Sequence, residues 1–310
     1  MENRTESRLD KFTTDGVVEW YLPELAPAPD EEWDRLRRFV DLGSEERRAM
    51  LASIPALFRR GYELVVANYD YLLANPETAQ ILGWESGADP AHLEERRRFF
   101  TIWLARLLGM DTSHEFARYL FRAGQMHAGY GPRKVQVPPV YITGAISLMN
   151  VAFARVLNEE MPGDPQIPAA LAGWNKTLSL HLHMMLLGYE SARQLGDGEF
   201  GVPVTFYGRM REITGRTEIT IGALPNAPVT RLLRKLFDFF PQARVEALDV
   251  IWQPGEHMDA FGNPWMTVSK MYQPKRGWRV LLNGRSIDYL AEEQRAVHPG
   301  DALQVFPPGR

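Results

Sequence analysis

Between Leu195 and Gly201 the chain changes its period, and this change constrains the fold more than any other feature. Upstream, apolar residues recur three and four apart, the spacing that gathers them on one face of a helix. Downstream they alternate, as on half-buried strands. Leu195-Gly-Asp-Gly198 punctuates the junction. A chain of 310 residues is long enough for two cores. The spacing therefore predicts a multidomain protein with an all-α domain over 31–196 and an α+β domain over 201–310. Pro23, Pro27 and Pro29 break any helix in residues 1–30, which read as an N-terminal extension whose Trp20, Tyr21 and Leu22 form an apolar latch.

About six helices are expected in the first domain. Asp30 opens a short one through Val40. A long run starts at Ser44 and carries Leu51, Leu57, Tyr62, Val65 and Leu73 at helical spacing until Asn75-Pro76 ends it. Further helices are expected over 90–108, 140–157 and 167–194. Between them lies an amphipathic run (Phe116, Tyr119, Leu120, Ala123, Met126) that ends at His127, where Gly129, Gly131 and Pro132 stop it. The loop Pro132-Arg-Lys-Val-Gln136 has no predicted place. In the second domain, Val202–Phe206, Glu218–Ile221, Trp278–Leu282 and Ala302–Phe306 read as strands and Val229–Phe240 as a helix. Asn283-Gly284 makes a tight turn.

Composition removes several chemistries. No cysteine is present, which excludes disulfides, iron–sulfur clusters and thiolate ligation; seven histidines and twelve methionines remain as soft or nitrogen donors. A net charge of -4 gives no footprint for nucleic acid. No apolar run approaches the ~20 residues of a membrane span, and the polar N-terminus is no signal peptide. A cytoplasmic protein without membrane contact is expected. No HExxH, phosphate-binding glycine loop or serine triad is found. His181 and His183 stand two apart and face different ways on a helix. His127, beside the apolar face in a last helical turn, is either a core histidine bonded to a carbonyl or an iron ligand.

Three blocks resemble the protoglobin and globin-coupled sensor family: Tyr69-Asp-Tyr-Leu-Leu-Ala-Asn-Pro-Glu77, Gln125-Met-His-Ala-Gly-Tyr-Gly131 and Val137-Pro-Pro-Val-Tyr-Ile-Thr-Gly-Ala145. The resemblance covers roughly 31–194. It implies a haem b domain that binds O2, NO or CO and dimerises through its last two helices. It further implies His127 as proximal iron ligand, Tyr69 as distal hydrogen-bond donor and Tyr141 near the proximal side. Phe99, Phe100 and Trp103 would roof the pocket, and an arginine of Arg96–Arg98 would meet a propionate. The bland alternatives are core packing for the aromatic residues and a solvated face for the arginines.

The second half resembles the MoaD/ThiS group of ubiquitin-like β-grasp proteins, through Val204-Thr-Phe-Tyr-Gly-Arg-Met-Arg-Glu-Ile-Thr-Gly-Arg216, Trp278-Arg-Val-Leu-Leu-Asn-Gly-Arg-Ser286 and Val297-His-Pro-Gly-Asp-Ala-Leu-Gln-Val-Phe-Pro-Pro308. Residues 244–277 are extra to it. It implies an output module that meets a molybdopterin synthase large subunit-like protein, linked to molybdenum cofactor biosynthesis. The chain closes on Gly309-Arg310 where sulfur carriers of that group carry Gly-Gly, so sulfur transfer is not expected of it as written. A sensor or binding protein is expected rather than an enzyme. The alternatives are a sulfur-carrier subunit and a haem redox protein such as an NO dioxygenase.

Overall fold

The computed structural model describes residues 20–23 and 25–307. They fall into two compact units, one of Pro27–Arg193 and one combining residues 20–26 with 194–307. The short strand β1 (Leu22–Pro23) comes first and belongs to the second unit.

The first unit is helical: α1 (Pro29–Val40), α2 (Ser44–Arg59), α3 (Gly61–Ala74), α4 (Pro76–Leu82), α5 (Pro90–Leu108), α6 (His114–His127), α7 (Pro139–Glu160) and α8 (Ile167–Gly196), whose last turn crosses into the second unit. Side-chain caps set several starts. Asn75, Asp89 and Ser113 each accept from backbone N–H groups of the first turn, and Pro76, Pro90 and Pro139 occupy first helical positions. The long run expected from Ser44 is two helices. Arg60 leaves helical geometry, and its guanidinium bonds Glu159 at 3.0 Å at the far end of α7. The interior is one cluster in which Trp33, Trp84, Phe116, Phe153 and Trp174 are almost wholly buried.

Helix α7 departs from expectation in another way. At 22 residues it is, among the described residues, the one helix long and apolar enough to cross a membrane by length and composition. Thr143, Gly144, Ser147 and Asn150 interrupt its apolar residues and hide this in the sequence. Its buried residues Ile142, Ile146, Met149, Phe153, Val156 and Leu157 recur three and four apart and join the cluster of the helical unit.

The second unit continues with β2 (Phe200–Phe206), α9 (Arg209–Thr214), β3 (Glu218–Ala223), β4 (Ala227–Pro228), α10 (Val229–Phe239), α11 (Gln242–Ala247), β5 (Leu248–Met258), β6 (Pro264–Pro274), β7 (Arg279–Leu282), β8 (Arg285–Ser286), β9 (Ala296–Val297) and β10 (Leu303–Phe306). Its main sheet runs β3-β2-β10-β7-β8. Only β2 and β10 are parallel within it; the other pairs are antiparallel. Val202, Val204, Phe206, Leu303 and Val305 alternate into the core, and α10 buries Val229, Leu232, Leu233 and Leu236. Asn283 and Gly284 both take positive φ, 51° and 79°, as a two-residue hairpin turn requires.

Besides the short helices α4, α9 and α11, two larger features were not expected. Residues 248–274 form a hairpin of two eleven-residue strands, β5 and β6. The extension foreseen over 1–30 is divided. Leu22 pairs with Tyr272 of β6, Trp20 donates its indole N–H to Asp288, and the Ala26 N–H donates to Asp238. The foreseen latch thus weaves residues 20–26 into the sheet unit, while Pro27 onward joins the helices. Residues 1–19 and the closing Pro308, Gly309 and Arg310 lie outside the described residues.

Candidate functional site

Helix α6 is fixed by a crossing with α8 in which backbone meets backbone. A Cβ at Gly124 would stand 1.8 Å from the Met185 carbonyl oxygen, and one at Gly188 would stand 1.9 Å from that of Phe121. Glycine is therefore required at both positions for the helices to approach so closely. Three residues past Gly124, His127 ends α6. Its Nδ1 lies 2.7 Å from the Ala123 carbonyl one turn back. That carbonyl has no N–H to give, so Nδ1 carries the proton and Nε2 keeps its lone pair. Among the described residues Nε2 has no hydrogen-bond partner. The surrounding protein lowers the basicity of the ring, chiefly by desolvation, so His127 is neutral at pH 7.

The loop that had no predicted place closes behind this histidine. Ala128 bridges to Gln136, and the Val137 N–H donates to the His127 carbonyl at 2.7 Å. Arg133 bonds Glu95 of α5 at 2.8 Å. The loop thus caps the end of α6 and ties it to α5.

Tyr69 is buried on α3, and its hydroxyl donates to the Arg96 carbonyl at 2.8 Å. Burial pushes its phenol well above the ordinary range, so it remains a protonated donor. Its ring meets Phe100 edge-on at 6.0 Å; Phe100 meets Trp103 at 5.1 Å, and Trp103 meets His181 at 6.1 Å. The structure therefore brings Tyr69, Phe100 and Trp103 into one aromatic strip along α5. Phe99 is placed elsewhere, 42% exposed. The Tyr141 hydroxyl donates to Glu77 across α7 and α4.

Sequence reasoning missed Trp84 and the role of His92. The buried Trp84 indole donates to His92 Nδ1 at 3.1 Å, and Arg96 Nε lies 3.0 Å from His92 Nε2. Both neighbours can only donate, whereas a neutral imidazole has a single lone pair to offer. Burial lowers the pKa of His92, so the ring is neutral. The fully enclosed indole keeps the bond, and Arg96 is left with donors facing an N–H. Arg96 has no carboxylate partner among the described residues. Trp84 and His92 are eight apart across a loop, a separation with no periodic signature.

His181 is buried among the rings of Trp33, Trp103 and Phe116, and its Nδ1 has no partner. Burial drives its pKa down to about 3. His183 turns the other way, to Glu32 at 2.9 Å. A cavity of about 560 Å3 opens beside His181, lined also by Trp33, Arg37, Met50, Leu107 and Lys176, and neither His127 nor Tyr69 reaches it. Because the unfolded histidine takes up a proton near pH 6.5 and the folded one resists until about 3, the unfolded state binds more protons between those values. Acidification through that window is expected to cost the helical unit stability at about 1.4 kcal/mol per pH unit from this residue alone. Urea titrations of His181→Leu across the window should show a shallower dependence on pH; an unchanged slope would contradict the assignment.

Among the described residues no group of three or more histidine, aspartate or glutamate side chains could hold a bare metal ion. What His127 offers is a single neutral nitrogen with its second nitrogen anchored, which is the donor a haem iron takes on one side. Arg96 of α5 lies close enough to act on the charge of the His127 ring, and Tyr69 with the aromatic strip lies on α3 and α5, which pack against each other; a lone-pair nitrogen, a surplus cation and a protonated phenol are donors that suit that group.

The globin domain of a Geobacter sulfurreducens globin-coupled sensor aligns with 50% of this chain and 96% of its own, at 18% identity and a TM-score of 0.42. No curated protein sequence matches the chain. The protoglobin family model matches residues 29–194, more than half of the chain and nearly all of the helical unit. The chain belongs to the protoglobin family.

Proposed function

We propose that the helical unit is a haem b domain that binds a diatomic gas, O2, NO or CO, with Nε2 of His127 as the proximal ligand. One observation carries this reading: His127 Nδ1 is held at 2.7 Å by the Ala123 carbonyl, which fixes the ring and leaves Nε2 as a free lone pair at the end of a rigid helix. Haem, when bound, would supply the iron at which a diatomic gas binds. Tyr69, protonated at every physiological pH, is the donor for a gas on the distal side once its hydroxyl turns from the Arg96 carbonyl. Arg96, over-supplied with donors, takes a propionate carboxylate. Phe100 and Trp103 wall the site and exclude water, with Phe99 at its exposed edge. Tyr141 steadies the start of α7 through Glu77.

The sheet unit is the output in this reading. Counted within its main sheet, the strand order is second, first, fifth, third, fourth, with the first and last parallel and adjacent and α10 crossing between. That order supports a β-grasp of the MoaD/ThiS type, and hence a partner resembling a molybdopterin synthase large subunit. Gas binding would then bias what the sheet unit binds.

The test is the absorption spectrum of the chain as purified, oxidised and then reduced under CO. A Soret band that shifts on adding CO is expected. A chain that takes up no haem on reconstitution, while retaining its helical circular dichroism, would sink the proposal.

A further inference from the structure

The cavity beside His181 lies within the helical unit, and the His127 site does not account for it. Two turns and three helices frame it. Asp41 ends α1 and Met110 follows α5, each with a positive φ, 41° and 50°, and both residues line the cavity. The helices α1, α2 and α8 supply most of the remaining wall. Its inner lining is apolar and closed, since Trp33, Met50 and Leu107 are each 1% exposed and Leu180 is buried beside them. A volume of about 560 Å3 with an apolar base and a few polar groups has the size and character of a small-molecule site.

One polar atom at the buried end has nothing to bond. His181 is itself 1% exposed, and its Nδ1 has no partner among the described residues. A core histidine ordinarily has one, because a buried ring nitrogen left unmet keeps the full cost of its desolvation. The cavity that this residue lines is where a partner can enter.

The rim carries the charge. Arg37, Arg38, Arg47 and Lys176 stand against Asp34, Asp41 and Asp111, a surplus of one positive charge. Three of these groups are satisfied from outside the cavity: Asp34 by His114 at 3.0 Å, Asp111 by Arg106 at 2.7 Å and Lys176 by Glu46 at 2.8 Å. Among the described residues Arg37 and Arg47 bond only backbone carbonyls, those of Thr112 and Leu42, and Arg38 has no carboxylate partner. A guanidinium fork matches a carboxylate in two parallel bonds. With three carboxylates already at the rim, a singly charged head suits it, and a dianion meets more repulsion.

We propose that this cavity is a ligand site separate from that of His127, and that it takes a small organic monocarboxylate. The apolar body of the ligand rests on Trp33, Met50, Leu107 and Leu180. Its carboxylate meets the rim guanidiniums, and a hydroxyl or a water carried with it meets His181. The site needs neither His127 nor haem.

Calorimetric titration of the full chain with 2-naphthoate, its neutral amide and inorganic phosphate provides the test. 2-Naphthoate is expected to bind with a Kd of about 0.1–1 mM, ordinary for a ligand of its size. The amide should bind at least about tenfold more weakly, for want of charge-assisted bonds, and phosphate should not displace the carboxylate. Replacing Arg37, Arg38 and Arg47 together by glutamine, all at exposed positions, should bring 2-naphthoate down to the level of the amide. Binding of the amide should be unchanged in that variant, which a damaged fold would not allow. NMR of the reduced chain under CO, where any haem is diamagnetic, locates the contact: the Trp33 indole N–H and the His181 ring nitrogens should shift on titration. Equal binding of acid and amide overturns the proposal, as does displacement by phosphate. So does binding that survives loss of the three arginines, or that leaves Trp33 and His181 unmoved, since the carboxylate would then sit elsewhere. No binding up to about 10 mM, tenfold above the expected range, overturns it too.

Discussion

A chain carrying His127→Gly is expected to lose its Soret band as purified and to recover it when imidazole is supplied in solution. The side chain sits on the final residue of α6, where a glycine is tolerated, and among the described residues its one hydrogen bond is to the carbonyl of Ala123. Removing it leaves a slot the size of an imidazole with that carbonyl still in place to orient a replacement. Haem retention should fall by more than about 100-fold, beyond the 10–100-fold that loss of an orienting partner alone produces. Recovery with imidazole separates loss of a ligand from loss of fold, which no added imidazole would repair. A Soret band that persists unchanged in His127→Gly would refute proximal ligation by this residue.

The largest effect on stability is expected at Gly124→Val. The new Cβ would meet the Met185 carbonyl oxygen at 1.8 Å, and that obstacle is backbone in a thirty-residue helix rather than a side chain able to swing aside. The crossing of α6 and α8 must open, and a loss above about 4 kcal/mol, the exceptional end for single substitutions, is expected for the helical unit. Gly144→Ala supplies the contrast. It lies inside α7 with nothing within 4 Å of its would-be Cβ. Alanine there should stabilise by about 0.5–1 kcal/mol through helix propensity alone. With two units present, each transition must be followed by its own probe in urea unfolding. Equal effects of the two substitutions would show that the close crossing does not hold α6.

Much of the helical unit was legible because its starts are chemically marked. Asp89-Pro90, Asn75-Pro76 and Pro139 combine a cap or an extended residue with a proline at a first helical position; the starts at Pro90 and, within a residue, at Pro139 fall where they were expected, whereas Asn75-Pro76 was read only as the end of a helix and α4 was not foreseen. The break at Arg60 carried no such mark. Apolar spacing runs on through Tyr62 and Val65, and the ion pairs to Glu159 and Glu160 that accompany it come from a hundred residues away. The hairpin was illegible for a different reason: Pro254-Gly255 and Pro264 look like breaks, and only an edge position makes them tolerable. Of the candidate site, spacing placed His127 at the end of its helix, whereas Tyr69, Phe100 and Trp103 could be named only through the resemblance to the protoglobin family. Trp84 and the excess of donors around His92 could not, because they depend on how α4, α5 and the loop between them pack. The backbone crossing at Gly124 and Gly188 is likewise a property of two helices, and in a sequence each glycine reads merely as a weak helix former.

Residues 20–26 and 194–307 are parts of one folded body, although the whole helical unit lies between them in the chain. The helical unit is therefore an insertion held at both of its ends, unlike a sensor strung on a single linker. Nicking the chain near Pro27 would leave both pieces attached, one by non-covalent strand pairing and the other by α8. A truncated chain starting at Gln194 would lack the strand that covers Tyr272 and the indole that bonds Asp288, so it would carry raw strand edge and an empty Trp20 socket into solution. Splitting the protein at its sequence boundary cuts through a sheet; the cleaner cut excises 27–193 and rejoins the two flanks.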